Sequence, residues 1–210
     1  NGGLQVIDVS SPAAPVLLGW CDLPDYAEGL SVVGGRAYVA ASGAGLHIVD
    51  VTDPAVPVLL GTYETPRYAQ DVVAVGTTAF VADYDSGLQV IDASNPAVPV
   101  LLGSLVTADR AYGIALSGST VYLAVHEAGL QIVDVSNPSA PLLLGSLDTP
   151  GSGVGVEVAG DLVYLADDVG GVRIIDVSDP AAPVEIGVDA IDPARALSTL
   201  TESRSKPSET

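Results

Sequence analysis

The sequence predicts an all-β protein, a segment of a β-propeller made of four-stranded antiparallel blades. Three observations carry this prediction: a constant 42-residue repeat, turn residues at the same places in every repeat, and strands that are apolar on both faces. The 210 residues hold about four and a half repeats, so we expect the propeller to be incomplete. A β-solenoid is the alternative architecture that this pattern leaves open.

A heptapeptide occurs five times in the sequence, at a step of 42 residues. It starts as GLQVIDV at Gly3, recurs at Gly45, Gly87 and Gly129, and takes the form GVRIIDV at Gly171. A period of this length is typical of a protein in which each repeat is one supersecondary unit. Two proline columns and one glycine column keep the same step: Pro12, Pro54, Pro96, Pro138 and Pro180; Pro15, Pro57, Pro99, Pro141 and Pro183; Gly19, Gly61, Gly103, Gly145 and Gly187.

Each repeat contains four short predicted strands, A to D, and the second full repeat shows them clearly. We predict strand A at about 69–75, strand B at about 79–82, strand C at 88–93 and strand D at about 100–105. Residues 94–99 form the C–D turn, where proline cannot donate to a central ladder. Strands such as VYLAV at 121–125 need cover on both faces, and a blade stacked between two other blades provides it.

The chain begins inside a repeat. Residues 1–24 supply only strands C and D, and four full repeats start near residues 25, 67, 109 and 151. We expect the missing strands, and further blades, to come from the missing part of a longer parent chain. Residues 189–210 are rich in Ser, Thr and Pro and match no repeat, so we interpret them as a linker or disordered tail. The repeats then occupy residues 1–188.

The chain is strongly acidic, with 26 acidic residues against 7 basic ones and a formal net charge of −19. Nucleic-acid binding requires clustered Lys and Arg, and Lys206 is the single lysine, so no nucleic-acid partner is expected. No stretch is long and apolar enough to predict membrane insertion. The single cysteine, Cys21, excludes an intrachain disulfide framework.

The segments GLQVIDVS at 3–10, GLHIVDVT at 45–52 and GLQIVDVSNPSAP at 129–141 resemble the LVIVD repeat and its S-[DN]-P-x-x-P turn. The resemblance covers residues 1 to about 188. It implies a propeller fold and an extracellular or cell-surface location, because the family occurs mainly in bacterial and archaeal surface or secreted proteins. The family has no generally assigned activity, so the resemblance implies an interaction or scaffold module.

Two sets of variable loops are predicted to lie on one face: the B–C loops within blades and the D–A loops between blades. They gather aromatic and basic residues of the kinds enriched at interface hot spots. We expect a non-catalytic module that presents these loops on a rigid propeller to a protein or a glycan. Two plainer alternatives to a binding function remain. The loops vary without a function, or the protein is a purely structural spacer. The candidate binding residues are Tyr26, Arg67, Tyr68, Tyr84, Arg110, Tyr112 and His126.

A metal site and an enzyme are the weaker hypotheses. Asp83 and Asp85 begin like a calcium loop, and Asp167 and Asp168 occupy the equivalent loop two blades on, so these carboxylates are the candidates for calcium. The alternative function is a propeller hydrolase with a divalent cation at the channel mouth, where His126 and Glu127 would meet Asp83 and Asp167. The sequence lacks H-E-x-x-H and a G-x-S-x-G elbow, so no catalytic residue is assigned and no cofactor is required.

Other repeated columns are interpreted as structural. We expect the aspartate that ends each C strand to accept backbone N–H groups of the C–D turn. We expect one aromatic column of strand B to pack between blades. The column of Gln5, His47, Gln89, Gln131 and Arg173 accepts any long polar group, so we expect it to be solvated. The aspartates are Asp8, Asp50, Asp92, Asp134 and Asp176, and the aromatic residues are Tyr38, Phe80, Tyr122 and Tyr164.

Overall fold

The computed structural model describes residues 3–189 as eighteen β-strands in five antiparallel sheets. The strands β1 (Gly3–Asp8) and β2 (Val16–Asp22) form a two-stranded sheet, here called the half-blade. The other sixteen strands form four-stranded sheets, blades 1 to 4, in which the strands lie side by side in chain order and correspond to A, B, C and D. Nearly all of the predicted tail, 189–210, lies outside the described residues.

The four blades have closely similar strand lengths. Blade 1 contains β3 (Gly29–Val33), β4 (Arg36–Ala40), β5 (Leu46–Asp50) and β6 (Val58–Tyr63). Blade 2 contains β7 (Asp71–Val75), β8 (Thr78–Ala82), β9 (Leu88–Asp92) and β10 (Val100–Leu105). Blade 3 contains β11 (Ala111–Ser117), β12 (Thr120–Val125), β13 (Gly129–Asp134) and β14 (Leu142–Leu147). Blade 4 contains β15 (Gly155–Ala159), β16 (Leu162–Ala166), β17 (Val172–Asp176) and β18 (Val184–Asp189).

The four strands predicted for the second repeat are confirmed, with small shifts at their ends. Strand A begins at Asp71 because Ala69 forms an isolated bridge with Ser42 of the preceding blade instead of continuing the ladder. Gly76 closes the A–B turn with a φ of 58°, a left-handed conformation that glycine adopts without steric cost. Four-stranded antiparallel sheets of this kind exclude the β-solenoid. Among residues 3–189, no helix is long and apolar enough to cross a membrane.

Adjacent blades pack face to face, with their A strands next to one another. β3 contacts β7, β7 contacts β11, and β11 contacts β15. Each core cluster joins neighbouring units: Tyr38 and Leu46 of blade 1 pack with Ala79 and Ile91 of blade 2. Burying a side chain such as leucine contributes about 1.5–3 kcal/mol, so both faces of an internal blade stabilise the stack. Within residues 3–189, no sheet joins strands from the two ends of the chain.

The glycine column of strand D explains how closely the blades approach. A Cβ atom at Gly61 or Gly103 would collide with the carbonyl oxygen of Pro96 or Pro138, which belongs to the C–D turn of the next blade. The same relation holds at the glycines of the half-blade and of blade 3. The proline turn of each blade therefore rests on a strand that has no side chain at the point of contact.

The aspartate that ends each C strand accepts a hydrogen bond from the amide two residues ahead, as predicted. The Oδ1···N distances are 2.8–2.9 Å in all five repeats. The amide and hydroxyl of Ser10 hold the pKa of Asp8 below its usual value, and serines have the same effect on the equivalent aspartates of blades 3 and 4. These carboxylates stabilise the C–D turns.

The aromatic column of strand B packs between blades wherever a following blade is present. Tyr38, Phe80 and Tyr122 are buried, and the Tyr38 hydroxyl donates to the Gly76 carbonyl oxygen at 3.4 Å. Tyr164 is more exposed because it lies on the uncovered face of blade 4. The prediction for this column is therefore confirmed in the covered blades.

Gly103→Ala should lower the free energy of unfolding by about 1–3 kcal/mol, because the added methyl group forces the turn of blade 3 away from blade 2. Gly187→Ala is the matched control in the same column. Of the described residues, only the side chain of Ile174 would lie within 4 Å of its Cβ. Urea titrations at low protein concentration measure both changes, and equal destabilisation by the two substitutions would contradict the role given to this column.

Candidate binding face

In blades 1 to 3 the B–C loop is hydrogen-bonded to the D–A loop that leads into the next blade. Ser42 and Ala69 exchange two backbone hydrogen bonds, at 2.9 and 3.1 Å, and the Ala111 amide donates to the Tyr84 carbonyl at 3.0 Å. The Gly153 amide donates to a B–C loop carbonyl of blade 3 at 2.8 Å. Both loop sets therefore lie at one end of the stack, here called the loop face. Its loops are residues 41–44, 83–86, 125–128 and 167–170 (B–C), and 24–28, 66–71, 108–112 and 150–153 (D–A).

Four rings form a continuous aromatic row across the loop face: Tyr68, Tyr84, Tyr112 and His126. The ring centroids are 5.8 Å apart for Tyr68 and Tyr84, 5.5 Å for Tyr84 and Tyr112, and 5.7 Å for Tyr112 and His126. The two tyrosine pairs meet edge to face, with interplanar angles of 80° and 90°. Each such pair contributes about 0.5–1.5 kcal/mol beyond its buried area, so the row is held together before any ligand binds.

Charged groups flank the centre of the aromatic row. The Arg110 guanidinium lies over the Tyr84 ring, 5.2 Å from its centroid, and its Nε is 3.6 Å from Asp85 Oδ1. Both charged side chains are about half exposed, so the ion pair itself contributes at most about 1 kcal/mol. Burial raises the pKa of the Tyr112 hydroxyl, and the neighbouring Tyr84 hydroxyl raises it further. The Tyr112 hydroxyl therefore stays protonated at physiological pH, beside one exposed cation and one exposed anion.

The backbone at Tyr84 is left-handed, with a φ of 46°. A residue with a side chain pays about 1–2 kcal/mol for this conformation. The Tyr84 carbonyl accepts the amides of Gly87 and Ala111, at 3.1 and 3.0 Å, and these two bonds hold the strained conformation in place. Ser42 and Asp168, at the same place in blades 1 and 4, are also left-handed. The orientation of Tyr84 is therefore fixed by a loop geometry that recurs in the repeat.

Five of the seven candidate binding residues lie in contact with one another, and the other two do not. Tyr68, Tyr84, Arg110, Tyr112 and His126 form the aromatic row and its flanking cation.

The other two candidates lie apart from the row. Tyr26 is 70% exposed, and its ring has no aromatic partner among residues 3–189. Arg67 is exposed, and the bond it makes to the next loop comes from its backbone amide, which donates to Asp83 Oδ2 at 3.0 Å. The structure therefore places these two residues on the loop face but outside the cluster.

An aspartate joins the two loops of each blade, and in blades 1 and 3 it lies on the D–A loop. Asp25 Oδ2 accepts the amide of Gly43 at 2.9 Å. Asp109 Oδ2 accepts the amide of Glu127 at 3.1 Å and lies 3.2 Å from His126 Nδ1. The hydrogen bond from the Glu127 amide is the largest cause that lowers the pKa of Asp109. This carboxylate anchors the His126 end of the aromatic row.

In blades 2 and 4 the relation is reversed, and the aspartate lies on the B–C loop. Asp83 Oδ2 accepts the amide of Arg67 at 3.0 Å, and Asp167 Oδ2 accepts the amide of Gly151 at 3.0 Å. Both carboxylates are buried, whereas Asp25 and Asp109 are not. Two of the four calcium candidates therefore bind loop amides.

The two buried aspartates differ in charge balance. Asp167 receives the Arg173 guanidinium at 2.9 Å and the Thr149 hydroxyl at 2.5 Å. Gln89 stands at the equivalent place in blade 2, and Asp83 Oδ1 has no hydrogen-bond partner among the described residues. Burial raises the pKa of Asp83 above its usual value. The buried carboxylate of blade 4 has an arginine within ion-pair distance, whereas the buried carboxylate of blade 2 has no such partner among the described residues.

The remaining calcium candidates are on the surface. Asp85 pairs with Arg110, and Asp168 is exposed at the start of a 3₁₀ turn. Among residues 3–189, no three His, Cys, Asp or Glu side chains are grouped closely enough to hold a metal ion. The calcium hypothesis therefore gains no geometric support from this loop face.

The expectation of a solvated column is wrong at His47, Gln89 and Gln131, whereas Gln5 of the half-blade is exposed. The first three residues are at most 5% exposed. His47 Nε2 lies 3.3 Å from the Pro24 carbonyl oxygen, and Gln89 Nε2 donates to the Ser86 carbonyl at 2.9 Å. The column reaches under the loop face and supports its loops.

A cavity of about 300 Å³ opens beside the aromatic row, where the A strands begin. Its walls include Tyr112, Glu28, Asp71 and Val154. The Asp71 carboxylate accepts the amides of Val72 and Ile114, and burial raises its pKa. Tyr112 thus belongs to both the cavity wall and the row.

These features define a class of protein: a stack of propeller blades whose loops are joined at one end and carry a row of aromatic side chains. The LVIVD repeat model matches residues 1–23, 24–65, 66–107, 109–149 and 150–188. The chain therefore belongs to the LVIVD repeat family, as the resemblance of its heptapeptides predicted.

Solved structures of designed proteins share the fold. The computationally designed Ika4 protein matches with a TM-score of 0.62 at 12% identity, over 73% of this chain and 92% of its own. The computationally designed Ika8 protein matches with a TM-score of 0.61 at 12% identity, over 74% of this chain and 47% of its own. This chain thus spans about half the length of Ika8. No curated protein sequence is significantly similar to this chain.

Asp83→Asn should stabilise the protein at neutral pH, because it removes a buried charge that has no ion-pair partner among the described residues. The folded pKa of Asp83 is raised, so the native state binds more protons than the unfolded state between the ordinary and the raised value. Stability from this group therefore falls as the pH rises through that window. Melting temperatures at acidic and neutral pH test this, and the advantage of the variant should shrink in acid.

Asp167→Asn is the matched variant in blade 4, and it should destabilise by about 1.5–3 kcal/mol because it removes charge-assisted hydrogen bonds. Its arginine partner would keep Glu185, 3.3 Å away, as the remaining carboxylate contact. Opposite signs are the expected outcome at neutral pH. If both asparagine variants shifted the melting temperature in the same direction, the proposed difference in charge balance would be wrong.

Proposed function

We propose that this protein is a non-catalytic binding and scaffold module, located at a cell surface or outside the cell, whose loop face binds a protein partner. The observation that carries the proposal is the aromatic row with Arg110 over its centre. Tyrosine and arginine are enriched among residues that dominate binding energy at interfaces. The location rests on the family resemblance.

The packing of the row favours binding with a small loss of conformational entropy. Tyr84 and Tyr112 are held edge to face, and hydrogen bonds between loops fix the backbone at Tyr84. Side chains that are ordered before binding need not be ordered by the partner, which removes about 0.5–1.5 kcal/mol of cost for each. Tyr68 remains half exposed at the end of the row and offers apolar contact area.

The ring geometry is the reason to propose a protein rather than a glycan. A sugar stacks on ring faces that point outward together, whereas successive tyrosines of this row are perpendicular. A protein partner supplies side chains of varied direction, and these fit edges and faces alike. The net charge of −19 adds long-range attraction for a basic partner surface.

The hydrolase alternative would need a different arrangement. A cation at the channel mouth requires at least three acidic or histidine side chains within ligand distance, and residues 3–189 contain no such group. The His126 ring is directed to Asp109, while Asp83 is buried under the loops. The aromatic row, rather than a carboxylate cluster, is the feature that supports a function here.

The test compares proteins captured by wild type and by Tyr84→Ala and Tyr68→Ala variants from the secreted and surface fraction of the source cells. We expect partners that wild type retains and both variants lose by about tenfold or more, the scale of a hot-spot loss of about 2 kcal/mol. Val98→Ser is the matched control, because Val98 is an exposed apolar residue in a C–D turn outside the loop face.

A glycan array probed with the same four proteins distinguishes the second kind of ligand. Binding to a glycan that depends on Tyr84 would replace the protein partner by a carbohydrate. Identical capture profiles for all four proteins, together with unchanged melting temperatures, would contradict a binding role for the row and favour a structural spacer.

A further inference from the structure

The Tyr68 end of the aromatic row lies beside an exposed carboxylate. A Cβ atom at Gly43 would be 3.1 Å from Asp25 Oδ2 and 3.7 Å from Cε1 of the Tyr68 ring, so the carboxylate and the ring meet at this glycine. Asp25 is exposed and has no ion-pair partner among residues 3–189. The Arg67 charge acts instead on Asp83, where burial raises the pKa of the carboxyl and the arginine opposes that shift. This end of the row is therefore acidic.

The His126 end of the row carries two carboxylates. Asp109 Oδ2 lies 3.2 Å from His126 Nδ1, and the amide of Glu127 donates to the same oxygen. The Glu127 side chain is exposed, and no basic side chain of the described residues lies within ion-pair distance of it. Both ends of the row therefore attract positive charge.

The centre of the row is different, because its charges already form a pair. The Arg110 guanidinium lies 5.2 Å from the Tyr84 ring centroid, and its Nε is 3.6 Å from Asp85 Oδ1. The centre thus offers an aromatic surface next to a cation that an anion of the same face neutralises. A basic group of a partner gains nothing there, since it would have to approach Arg110.

The ring spacing sets the distance between the two acidic ends. Consecutive centroids are 5.5–5.8 Å apart. The four rings therefore extend over at most about five residues of an extended chain, which rises about 3.3 Å per residue. Alternate side chains of such a chain point to one side at intervals of about 6.6 Å. This interval is close to the ring spacing, so alternate side chains can contact successive rings.

We propose that the aromatic row binds an extended segment of its protein partner, with apolar side chains in the middle and a basic side chain at each end. The apolar side chains lie on the rings. One basic group meets Asp25, and the other meets Asp109 and Glu127. The inference rests on the proposed binding role of the row, and it adds the charge pattern and the length of the segment that binds.

Fluorescence anisotropy with labelled peptides of about seven residues, a length that covers the row and both of its ends, tests the proposal. The first peptide has lysine at both ends, leucine at alternate positions between them and serine elsewhere. The second has glutamate in place of both lysines, and the third has the composition of the first with its lysines moved to the middle. We expect the first peptide to bind about tenfold or more tightly than the other two, because only its charges match both ends of the row.

Two charge reversals separate contact at the row from attraction to an acidic protein. Glu127→Lys should weaken binding of the lysine-ended peptide by about fivefold and strengthen binding of the glutamate-ended one. Asp161→Lys is the matched control, because it makes the same change of net charge at an exposed position in the A–B turn of blade 4, at the opposite end of the stack. The control should bind all three peptides as wild type does.

Tyr84→Ala distinguishes failure of this inference from failure of the proposed function, and it should weaken binding of the lysine-ended peptide by about tenfold or more. Binding that requires Tyr84 but is equal for lysine and glutamate ends would keep the binding role of the row and overturn its charge pattern. Lysine-dependent binding that survives Tyr84→Ala, or equal effects of the two charge reversals, would reduce the result to general electrostatic attraction and overturn the inference. Failure of all three peptides to bind at millimolar concentration would overturn it as well, while the capture experiment would still decide the function.

Discussion

The stack depends on one constraint: a four-stranded sheet that is apolar on both faces is stable only when neighbours cover both faces. A blade of about 20 strand residues has little interior of its own, so its core lies between it and the next blade. The D-strand glycines set the distance of that contact, since they let a proline turn of one blade touch the backbone of another. Because every blade meets this constraint with the same residues, the sequence repeats every 42 residues.

The loop face follows from the same stacking. In blades 1 to 3 the B–C loop is hydrogen-bonded to the D–A loop that leads into the next blade. In each blade one aspartate also joins the B–C loop to the D–A loop that leads into that same blade. The aspartate alternates between the loops, on the D–A side at Asp25 and Asp109 and on the B–C side at Asp83 and Asp167. Loops fixed in this way hold aromatic side chains of different blades at ring-contact distance.

The sequence predicts the role of a residue that recurs at the same position of every repeat. It does not predict roles that depend on a contact between two different positions of the repeat. The strands, the turn aspartates and the interblade aromatic residues each recur every 42 residues, so their roles are visible without coordinates. The alternation of Asp25 with Asp83 is invisible in either column alone, because the two positions are 58 apart in number and belong to different loops of neighbouring repeats. The expectation that His47 is solvated fails for a related reason. The sequence shows a polar residue on a strand, but it does not show that the loop at Pro24 covers this side chain.

The aromatic row lies in the part of the stack where the blades pack against other blades on both faces. Tyr68 and Tyr84 belong to the loops at the entrance to blade 2 and within it, and Tyr112 and His126 belong to blade 3. Blades 2 and 3 are covered on both faces, by blades 1 and 4 and by each other, so the row stands on the most fully packed part of the chain. The half-blade and the front of blade 4, which no described blade covers, lie one blade or more away. The four rings are therefore positioned by blades whose two faces both pack against other blades.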